Sequence, residues 1–314
     1  MSSRSGSRQD FRPIPDEPKL LASSATTKQK RIVIPKVLAT DLDGTLIPLD
    51  GNEQNVRDLP KIDEQLSLAG MQMLYVTGRH LASIMGVMLE KNLPQPDWII
   101  GDVGTSIYRR EVFNATIDSK VAASPQDAVG TYSLDADYAA HLHGLVREFS
   151  VTRLADCLQS IDDLRPQEPE KQTRFKLSYY VDHARSSVAS QRIDQRLAET
   201  RAPYSVVASR DPFTGDGLID LLPKQVSKAH AIGWWAEQQS LDRTAILYAG
   251  DSGNDSAVFA AGYRSIIVAN AAPEVLQAAQ AAHAQAGWSN RLFAAPTPAT
   301  SGVLDGLKHY CIKS

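Results

Sequence analysis

The chain has few cysteines, no long apolar run and little net charge. Cys157 and Cys311 are its only cysteines among 314 residues, which excludes a disulfide framework and favours a reducing compartment. No apolar run reaches 18 residues, so no membrane span is expected. The net charge of −3 gives no electrostatic reason to expect a nucleic acid or an anionic membrane as a partner.

The first 30 residues differ from the rest of the chain. They are rich in serine, proline, lysine and arginine, lack periodicity and contain no apolar signal-peptide core. We therefore expect residues 1–30 to be a mobile tail and the protein to be cytoplasmic. The remaining chain is long enough for one large domain or two modest ones.

Short apolar strands and helical patterns alternate in the first third of the chain. Buried strands are predicted at Val37–Thr40, 71–76 and 98–100, with helices at 55–69 and 81–89 between them. This order predicts an α/β fold whose core is a doubly wound, mainly parallel, Rossmann-like sheet with helices on both faces.

The pattern changes in the middle of the chain, where alternating apolar and polar residues predict antiparallel strands. These strands are predicted at 106–118, 174–182, 203–208 and 217–222. The turn-rich segment 211–217 predicts a hairpin connection. Helix–strand alternation returns at Ser227. The chain is therefore divided into a core domain of residues 31–107 and 218–314, with residues 108–217 inserted as a smaller α/β domain.

Two aspartates follow the first strand. Asp41 and Asp43 are separated by one residue, so in strand geometry their side chains point the same way and can converge where the strand ends. Two carboxylates held close together repel, which favours a cation between them, and a hard divalent ion prefers oxygen ligands. The alternative is a solvated loop in which Gly44 serves the turn.

Other polar residues are predicted at the same edge of the sheet. Thr77, Gly78 and Arg79 end the second strand, residues 251–255 (Asp-Ser-Gly-Asn-Asp) end a later one, and Lys228 opens the helix before it. Singly, each is explained as an ordinary turn, a helix cap or a solvated lysine. Together they collect at the carboxyl ends of parallel strands, which is where doubly wound sheets bind ligands.

These residues suit phosphoryl transfer. The predicted roles are Asp41 as nucleophile, Asp43 as general acid and base, and Thr77 and Lys228 as phosphate contacts. A magnesium site is predicted from Asp41, Asp43 (through its carbonyl), Asp251 and Asp255. Gly78, Arg79 and Asn254 are expected to support the phosphate or the metal shell.

Two weaker signals have structural explanations. The Gly-x-x-Gly within residues 101–105 is expected to form a tight connection into the insert. Four histidines lack the spacing of metal ligands and are expected at surface or packing positions: His80, His141, His143 and His230.

The segments DLDGT (41–45), TGR (77–79), Lys228 and GDSGND (250–255) resemble the four motifs of the haloacid dehalogenase superfamily. The insert resembles that superfamily's large α/β cap. Three further segments are similar to the sucrose-phosphate phosphatase family: 171–182, 218–232 and 250–259.

The resemblance implies a Mg2+-dependent sugar phosphatase with an aspartyl-phosphate intermediate, and sucrose 6-phosphate as substrate. It also implies that Gln172, Arg174 and Lys176 of the cap contact the sugar, and that Asn270 lies near the phosphate or sugar. The alternative for the three cap residues is the solvent face of a cap strand. The chain departs from the family's pattern at Arg174-Phe175 and around Lys228.

Three hypotheses follow. The first is the sucrose 6-phosphate phosphatase, and the second keeps its chemistry on mannosyl-phosphoglycerate, a glycosyl-glycerol phosphate or a monosaccharide phosphate. The third is a non-catalytic sugar-phosphate binding partner of a glycosyltransferase, although a binder has no need of Asp43. Under the first two, association with the glycosyltransferase that makes the substrate is a further expectation.

Overall fold

The computed structural model describes residues 34–111, 131–210 and 214–311. The predicted tail at 1–30 lies outside the described residues, as do the second half of the strand predicted at 106–118 and the start of the hairpin predicted at 211–217. The described residues belong to one compact unit.

Two sheets and the helices around them make up the described chain. The strands are β1 Val37–Thr40, β2 Gln72–Val76, β3 Trp98–Gly101, β4 Ser106–Arg110, β5 Tyr132–Leu134, β6 Arg165–Pro166, β7 Leu177–Val181, β8 Tyr204–Arg210, β9 Gly217–Pro223, β10 Ile246–Gly250, β11 Arg264–Ile267 and β12 Leu292–Ala294. The helices are α1 Glu53–Ala69, α2 Leu81–Lys91, α3 Ala136–Val146, α4 Val151–Leu158, α5 Ser186–Thr200, α6 Lys228–Gln238, α7 Ser256–Phe259, α8 Pro273–Gln285 and α9 Ala299–Cys311.

The larger sheet has the strand order β12-β11-β10-β1-β2-β3-β4-β5. Its strands run parallel from β12 to β3, while β4 and β5 are antiparallel additions at one edge. The first strand, β1, lies in the middle of the sheet, because it pairs with β2 on one side and with β10 on the other. The predicted doubly wound, mainly parallel fold is confirmed, and the strand order changes direction at β1.

Both faces of the larger sheet are covered. Alternation along β1 sends Val37 and Ala39 into the hydrophobic cluster on one face and Leu38 into the cluster on the other. All four residues of β1 are buried, which explains why the strand is a continuous apolar run in the sequence.

The smaller sheet is antiparallel, with the order β6-β7-β9-β8. Helix α5 packs against β8 and β9, and α4 packs against β7 and α5. The predicted antiparallel pairing of the insert is therefore confirmed by these strands. None of the described helices is long and apolar enough to cross a membrane.

Two strands cross the predicted borders between core and insert. β5 belongs to the larger sheet because it pairs with β4, which turns back onto β3. β9 belongs to the smaller sheet because it pairs with β7 on one side and β8 on the other. The larger sheet therefore includes β5, which ends at residue 134, and the smaller sheet includes β9, which ends at residue 223. The borders drawn at 107/108 and 217/218 do not follow the hydrogen bonding.

Five features are absent from the sequence prediction: the helix α4, the short strands β5, β6 and β12, and the first turn of α9. Strands of two or three residues are too short to show periodicity, and they are defined by their pairing with β4, β7 and β11.

Candidate active site

The candidate site lies at the carboxyl ends of β1, β2 and β10. Asp41 follows β1 directly and is only 5% exposed. Its Oδ1 accepts a hydrogen bond from the backbone N–H of Leu42 at 2.8 Å and lies 3.1 Å from Nζ of Lys228. The predicted nucleophile is therefore oriented by the start of its own loop and by a cation from another element.

Lys228 is buried below this carboxylate, with 1% of its surface exposed. It opens α6, whose N-cap residue Ser227 accepts a hydrogen bond from a backbone N–H of the first turn. Its ammonium contacts Asp41 and also Asp255 at 2.7 Å and Asn254 at 3.1 Å. Burial alone lowers the pKa of Lys228, but Asp255 and Asp41 raise it above its ordinary value, so the lysine stays charged.

Asp251 lies across the site from Asp41. Its Oδ1 accepts a hydrogen bond from the Thr45 hydroxyl at 2.9 Å. Gly44 has a φ of +71° and packs directly against Oδ2 of Asp251, so a side chain at Gly44 would overlap that oxygen. The glycine of the first motif therefore permits the close approach of the loop to the acidic group.

The acidic residues fit a divalent cation. One carboxylate oxygen each from Asp41, Asp251 and Asp255 lies within 4.8 Å of the others. Burial raises the pKa of Asp41 to about 8, with added repulsion from Asp255 and Asp251 against the opposing effect of Lys228. Burial, repulsion from Asp255 and repulsion from Asp43 raise the pKa of Asp251 to about 6, although the Thr45 hydrogen bond and Lys228 lower it. A hard cation between these oxygens would relieve that repulsion, so the donor set suits Mg2+.

Asp255 occupies a different place from the other two acids. It is fully buried, and its oxygens already accept hydrogen bonds from Lys228, the Tyr248 hydroxyl and the backbone N–H groups of Asp251 and Ser252. Asp41 and Asp251 are therefore better placed than Asp255 to hold a metal directly. The geometry therefore favours a supporting role for Asp255 over the direct metal contact that the sequence predicts.

Asp43 is held by an arginine of the second motif. Both of its carboxylate oxygens accept hydrogen bonds from Arg79, at 2.7 and 2.8 Å. It is the more exposed of the first-motif aspartates, with 37% of its side chain accessible. The two aspartates thus lie in different environments, one buried against an ammonium and one partly open against a guanidinium.

The second motif forms the neighbouring wall of the site. Thr77 is buried, and its hydroxyl oxygen accepts a hydrogen bond from the N–H of Arg79 at 3.2 Å. Its carbonyl oxygen accepts a hydrogen bond from Val103 at 3.2 Å, and a side chain at Gly78 would meet Val103 at 3.8 Å. The loop after β2 is therefore anchored to the turn that follows β3.

Asn270 joins three parts of the site. Its Nδ2 donates to the carbonyl oxygen of Gly44 at 2.8 Å and lies 3.4 Å from Oδ2 of Asp251. Its Oδ1 accepts from the N–H of Ala299, at the start of α9. The structure brings Asn270 to the Asp251 side of the site, where it holds the Gly44 loop in place.

The three predicted sugar contacts precede β7 and do not lie within it. The side chain of Gln172 is bound to the backbone of Gln167 and Ser178, so it braces its own turn. Arg174 is exposed and its guanidinium lies over the ring of Phe175. These two positions are compatible with either expectation, a sugar contact or a solvent-facing residue.

Lys176 is neither a solvent-facing residue nor an unpaired cation that awaits a sugar. It is 4% exposed, so it does not lie on a solvent face, and its ammonium pairs with Asp102 at 3.3 Å. Asp102 follows β3, has a φ of +52°, and donates its N–H to the carbonyl of Arg79. The lysine therefore links the smaller sheet to the turn behind the second motif.

Sequence reasoning missed Asp102 and Tyr248. The 101–105 segment predicts only a tight connection, and no local pattern relates Asp102 to Lys176, which lies 74 positions later in the chain. Tyr248 lies inside an apolar strand, where an aromatic residue is ordinary. No local pattern distinguishes a tyrosine whose hydroxyl bonds a carboxylate from one that only packs.

Comparisons with known proteins agree with this geometry. A sequence model of the sucrose-6F-phosphate phosphohydrolase family matches residues 34–124 and 127–311. A HAD-like hydrolase of Nitrosococcus oceani is 33% identical over 281 residues, covering 87% of this chain and 71% of the relative. The mannosylfructose-phosphate phosphatase of Agrobacterium fabrum is 26% identical, with 88% of this chain and 96% of the relative covered.

A solved structure shares the fold. The sucrose-phosphatase of Synechocystis sp. PCC6803, solved with sucrose and phosphate, superposes with a TM-score of 0.66 at 24% identity, covering 88% of this chain and 98% of that one. The arrangement of two sheets described above is therefore found in an experimental structure as well.

Proposed function

The chain belongs to the sucrose-6F-phosphate phosphohydrolase family, a family of phosphoric monoester hydrolases that act on sugar phosphates, and we propose that it is a Mg2+-dependent phosphatase of a disaccharide phosphate. Sucrose 6-phosphate is the first candidate, with sucrose and phosphate as products. The proposal includes an aspartyl-phosphate intermediate on Asp41.

One observation supports the proposed mechanism above all, namely that Asp41 and Asp43 lie in different environments. Asp41 lies beside a charged lysine, which opposes the rise of its pKa, and a cation held by Asp41 and Asp251 would further favour the anion that a nucleophile needs. Asp43 is partly open to solvent, which suits a group that exchanges a proton with substrate or water. Arg79 sets its orientation, and one of the two Arg79 hydrogen bonds would open when that oxygen carries the proton. Paired carboxylates with contrasting surroundings are typical of sites that divide nucleophile from acid–base work.

The proposed reaction has two steps. An Oδ of Asp41 attacks phosphorus while the sugar oxygen leaves with the proton of Asp43, and the product is an acyl phosphate on Asp41. Asp43 then takes a proton from water, whose oxygen attacks phosphorus and releases phosphate and free Asp41. Lys228 and the Thr77 hydroxyl offset charge on the phosphoryl oxygens.

Asp41 and Asp251 are the side chains proposed to hold Mg2+, together with the carbonyl of Asp43. When bound there, Mg2+ supplies positive charge against the phosphate and against the repulsion between these acids. Asn270, Thr45 and Asp255 would keep the holding groups in place through the hydrogen bonds described above.

Disaccharide phosphates are favoured over other substrates by the relatives. The name of the Agrobacterium fabrum relative specifies mannosylfructose phosphate, so that compound is the second candidate. Mannosyl-phosphoglycerate would need extra basic groups for its carboxylate. Lys176 is already paired with Asp102, which leaves Arg174 alone among the predicted cap contacts to meet that charge.

A phosphate-release panel tests the proposal. The compounds are sucrose 6-phosphate, mannosylfructose phosphate, a glycosyl-glycerol phosphate, mannosyl-phosphoglycerate and glucose 6-phosphate, each assayed with Mg2+ and with EDTA. We expect Mg2+-dependent release with the highest kcat/KM on a disaccharide phosphate. Equal kcat/KM on glucose 6-phosphate would overturn the substrate assignment. Calorimetric binding of the sugar phosphates without any release would instead support the non-catalytic binder.

A further inference from the structure

Tyr248 places a hydroxyl group beneath the candidate site. It lies in the middle of β10, is fully buried, and donates a hydrogen bond to Oδ1 of Asp255 at 2.5 Å. Its ring packs edge-on against Phe259, with centroids 5.7 Å apart. Burial and the nearby carboxylates raise the pKa of Tyr248 well above its ordinary value, so the hydroxyl keeps the proton that it donates.

The oxygen that Tyr248 contacts is the one that Lys228 contacts. Oδ1 of Asp255 lies 2.7 Å from Nζ of Lys228, while Oδ2 accepts N–H groups of Asp251 and Ser252 at 3.2 and 3.1 Å. One buried carboxylate therefore connects the tyrosine both to the lysine and to the loop that carries Asp251.

The chain of contacts continues to the nucleophile. Lys228 divides its ammonium between Asp255 and Asp41, at 2.7 and 3.1 Å. A hydroxyl donor on Asp255 withdraws part of that carboxylate's charge, which weakens its hold on the lysine. Without the donor, Lys228 would be drawn toward Asp255 and away from Asp41 and the phosphate.

The packing leaves little freedom for another arrangement. Gly250 passes so close that a side chain there would meet Oδ2 of Asp255 at 2.6 Å and the Tyr248 ring at 3.0 Å. Both groups are thus held against the backbone of β10. The tyrosine hydroxyl is built into the support of the site and is not a chance neighbour.

We propose that Tyr248 is a positioning residue of the phosphatase, which sets the division of Lys228 between Asp255 and Asp41. The inference rests on the proposed function and adds to it a residue that lies outside the four motifs.

Tyr248→Phe tests this directly, because it removes the hydroxyl and keeps the ring. With Mg2+ and p-nitrophenyl phosphate as probe, we expect kcat to fall by about 10-fold, the scale of losses from removing supporting contacts. KM should stay within about twofold, since the substrate contacts themselves remain. An unchanged kcat in Tyr248→Phe would overturn the proposal.

Tyr204→Phe is the matched control. Tyr204 is also buried and donates its hydroxyl to a backbone carbonyl, that of Phe149, at 3.1 Å, but it lies in the smaller sheet. Both variants should lose some thermal stability, and only Tyr248→Phe should lose kcat. Equal kcat losses in the two would assign the effect to folding and overturn the proposal.

A double-mutant cycle identifies the route of action. If Tyr248 acts through Asp255, adding Tyr248→Phe to Asp255→Asn should lower kcat much less than it does in the wild type. Full additivity would contradict that route. If the wild type releases no phosphate from any compound, the proposed function fails separately. Tyr248 is then judged by the calorimetric affinity for inorganic phosphate, which Tyr248→Phe should weaken and Tyr204→Phe should leave unchanged.

Discussion

Arg79 holds both carboxylate oxygens of Asp43, through Nε at 2.8 Å and Nη2 at 2.7 Å. Its remaining nitrogen donates to the Ser83 hydroxyl at 2.8 Å, at the start of α2. The second motif therefore orients the proposed acid–base residue of the first. A planar guanidinium makes this two-point contact, which an ammonium cannot reproduce.

The substitution Arg79→Lys should lower kcat by about 10-fold through loss of the two-point contact. Asp43 would keep a positive neighbour but lose its fixed orientation, so proton transfer to the leaving sugar oxygen would be less efficient. Steady-state phosphate release measures the effect. Arg57→Lys is the control, because Arg57 is an exposed residue of α1 that pairs with Glu53. A loss of equal size in both variants would contradict the assigned role.

Asp41→Asn should abolish turnover and leave the fold intact. An amide cannot form the acyl phosphate, and it removes one member of a buried acidic group whose mutual repulsion is unfavourable. We expect kcat to fall by at least ~1,000-fold, with the thermal midpoint unchanged or higher. Retention of full Mg2+-dependent activity would exclude Asp41 as the nucleophile.

Mg2+ should stabilise the protein through Asp251. At a concentration about 100 times its dissociation constant, a ligand of the folded state adds about 2.7 kcal/mol, which appears as a rise in the thermal midpoint over that in EDTA. Asp251→Asn should largely remove this rise. Asp194→Asn is the control, because Asp194 is exposed on α5. An undiminished Mg2+ response in Asp251→Asn would exclude Asp251 as a ligand.

The buried pair of Lys176 and Asp102 should show strong coupling. Lys176→Met leaves Asp102 as a buried carboxylate without its cation, and breaking such a pair costs about 3 kcal/mol of unfolding free energy. The double variant Lys176→Met/Asp102→Asn should lose less than the sum of the single variants. Urea unfolding of all four proteins measures the coupling. Lys171→Met, in an exposed pair with Glu168, should have little effect.

The histidine pair predicts a pH dependence of stability. Nε2 of His141 and Nε2 of His230 lie 3.0 Å apart, a contact that needs at least one neutral ring. Burial and the proximity of His141 lower the pKa of His230. Between the lowered pKa of the folded state and the ordinary value of 6.5, the unfolded chain binds more protons than the folded one. This contribution to stability is therefore present above pH 6.5 and is lost as the pH falls through the folded-state pKa.

Replacement of His230, the half-buried partner whose pKa is lowered, tests this sign. His230→Asn should reduce the part of the stability loss between about pH 7.5 and about pH 5.5 that this pair causes. The raised pKa values of Asp41 and Asp251 act in the opposite sense, so the wild type must be compared with variants at each pH. His143→Asn, exposed on α3, is the control. Identical pH profiles for His230→Asn and the wild type would contradict the pairing.

Much of the fold was predictable because its signals are local. The continuous apolar run of β1 and the helical spacing of α1 and α2 are properties of short segments, and the elements formed there as expected. The borders of the insert were not predictable, since β5 and β9 are assigned by their hydrogen-bonding partners. Those partners lie outside the segments themselves.

The sequence by itself determined which residues can do the chemistry. Motif spacing and strand ends indicated Asp41, Asp43, Thr77, Lys228 and Asp251 because the carboxyl ends of parallel strands must meet at one edge. Only the tertiary structure decided how these groups and their neighbours pair. It placed Asp43 on Arg79, Asp255 beneath Lys228, Tyr248 on Asp255 and Lys176 on Asp102. The physical reason is that side-chain pairing depends on distances between elements far apart in the chain, which no local pattern encodes.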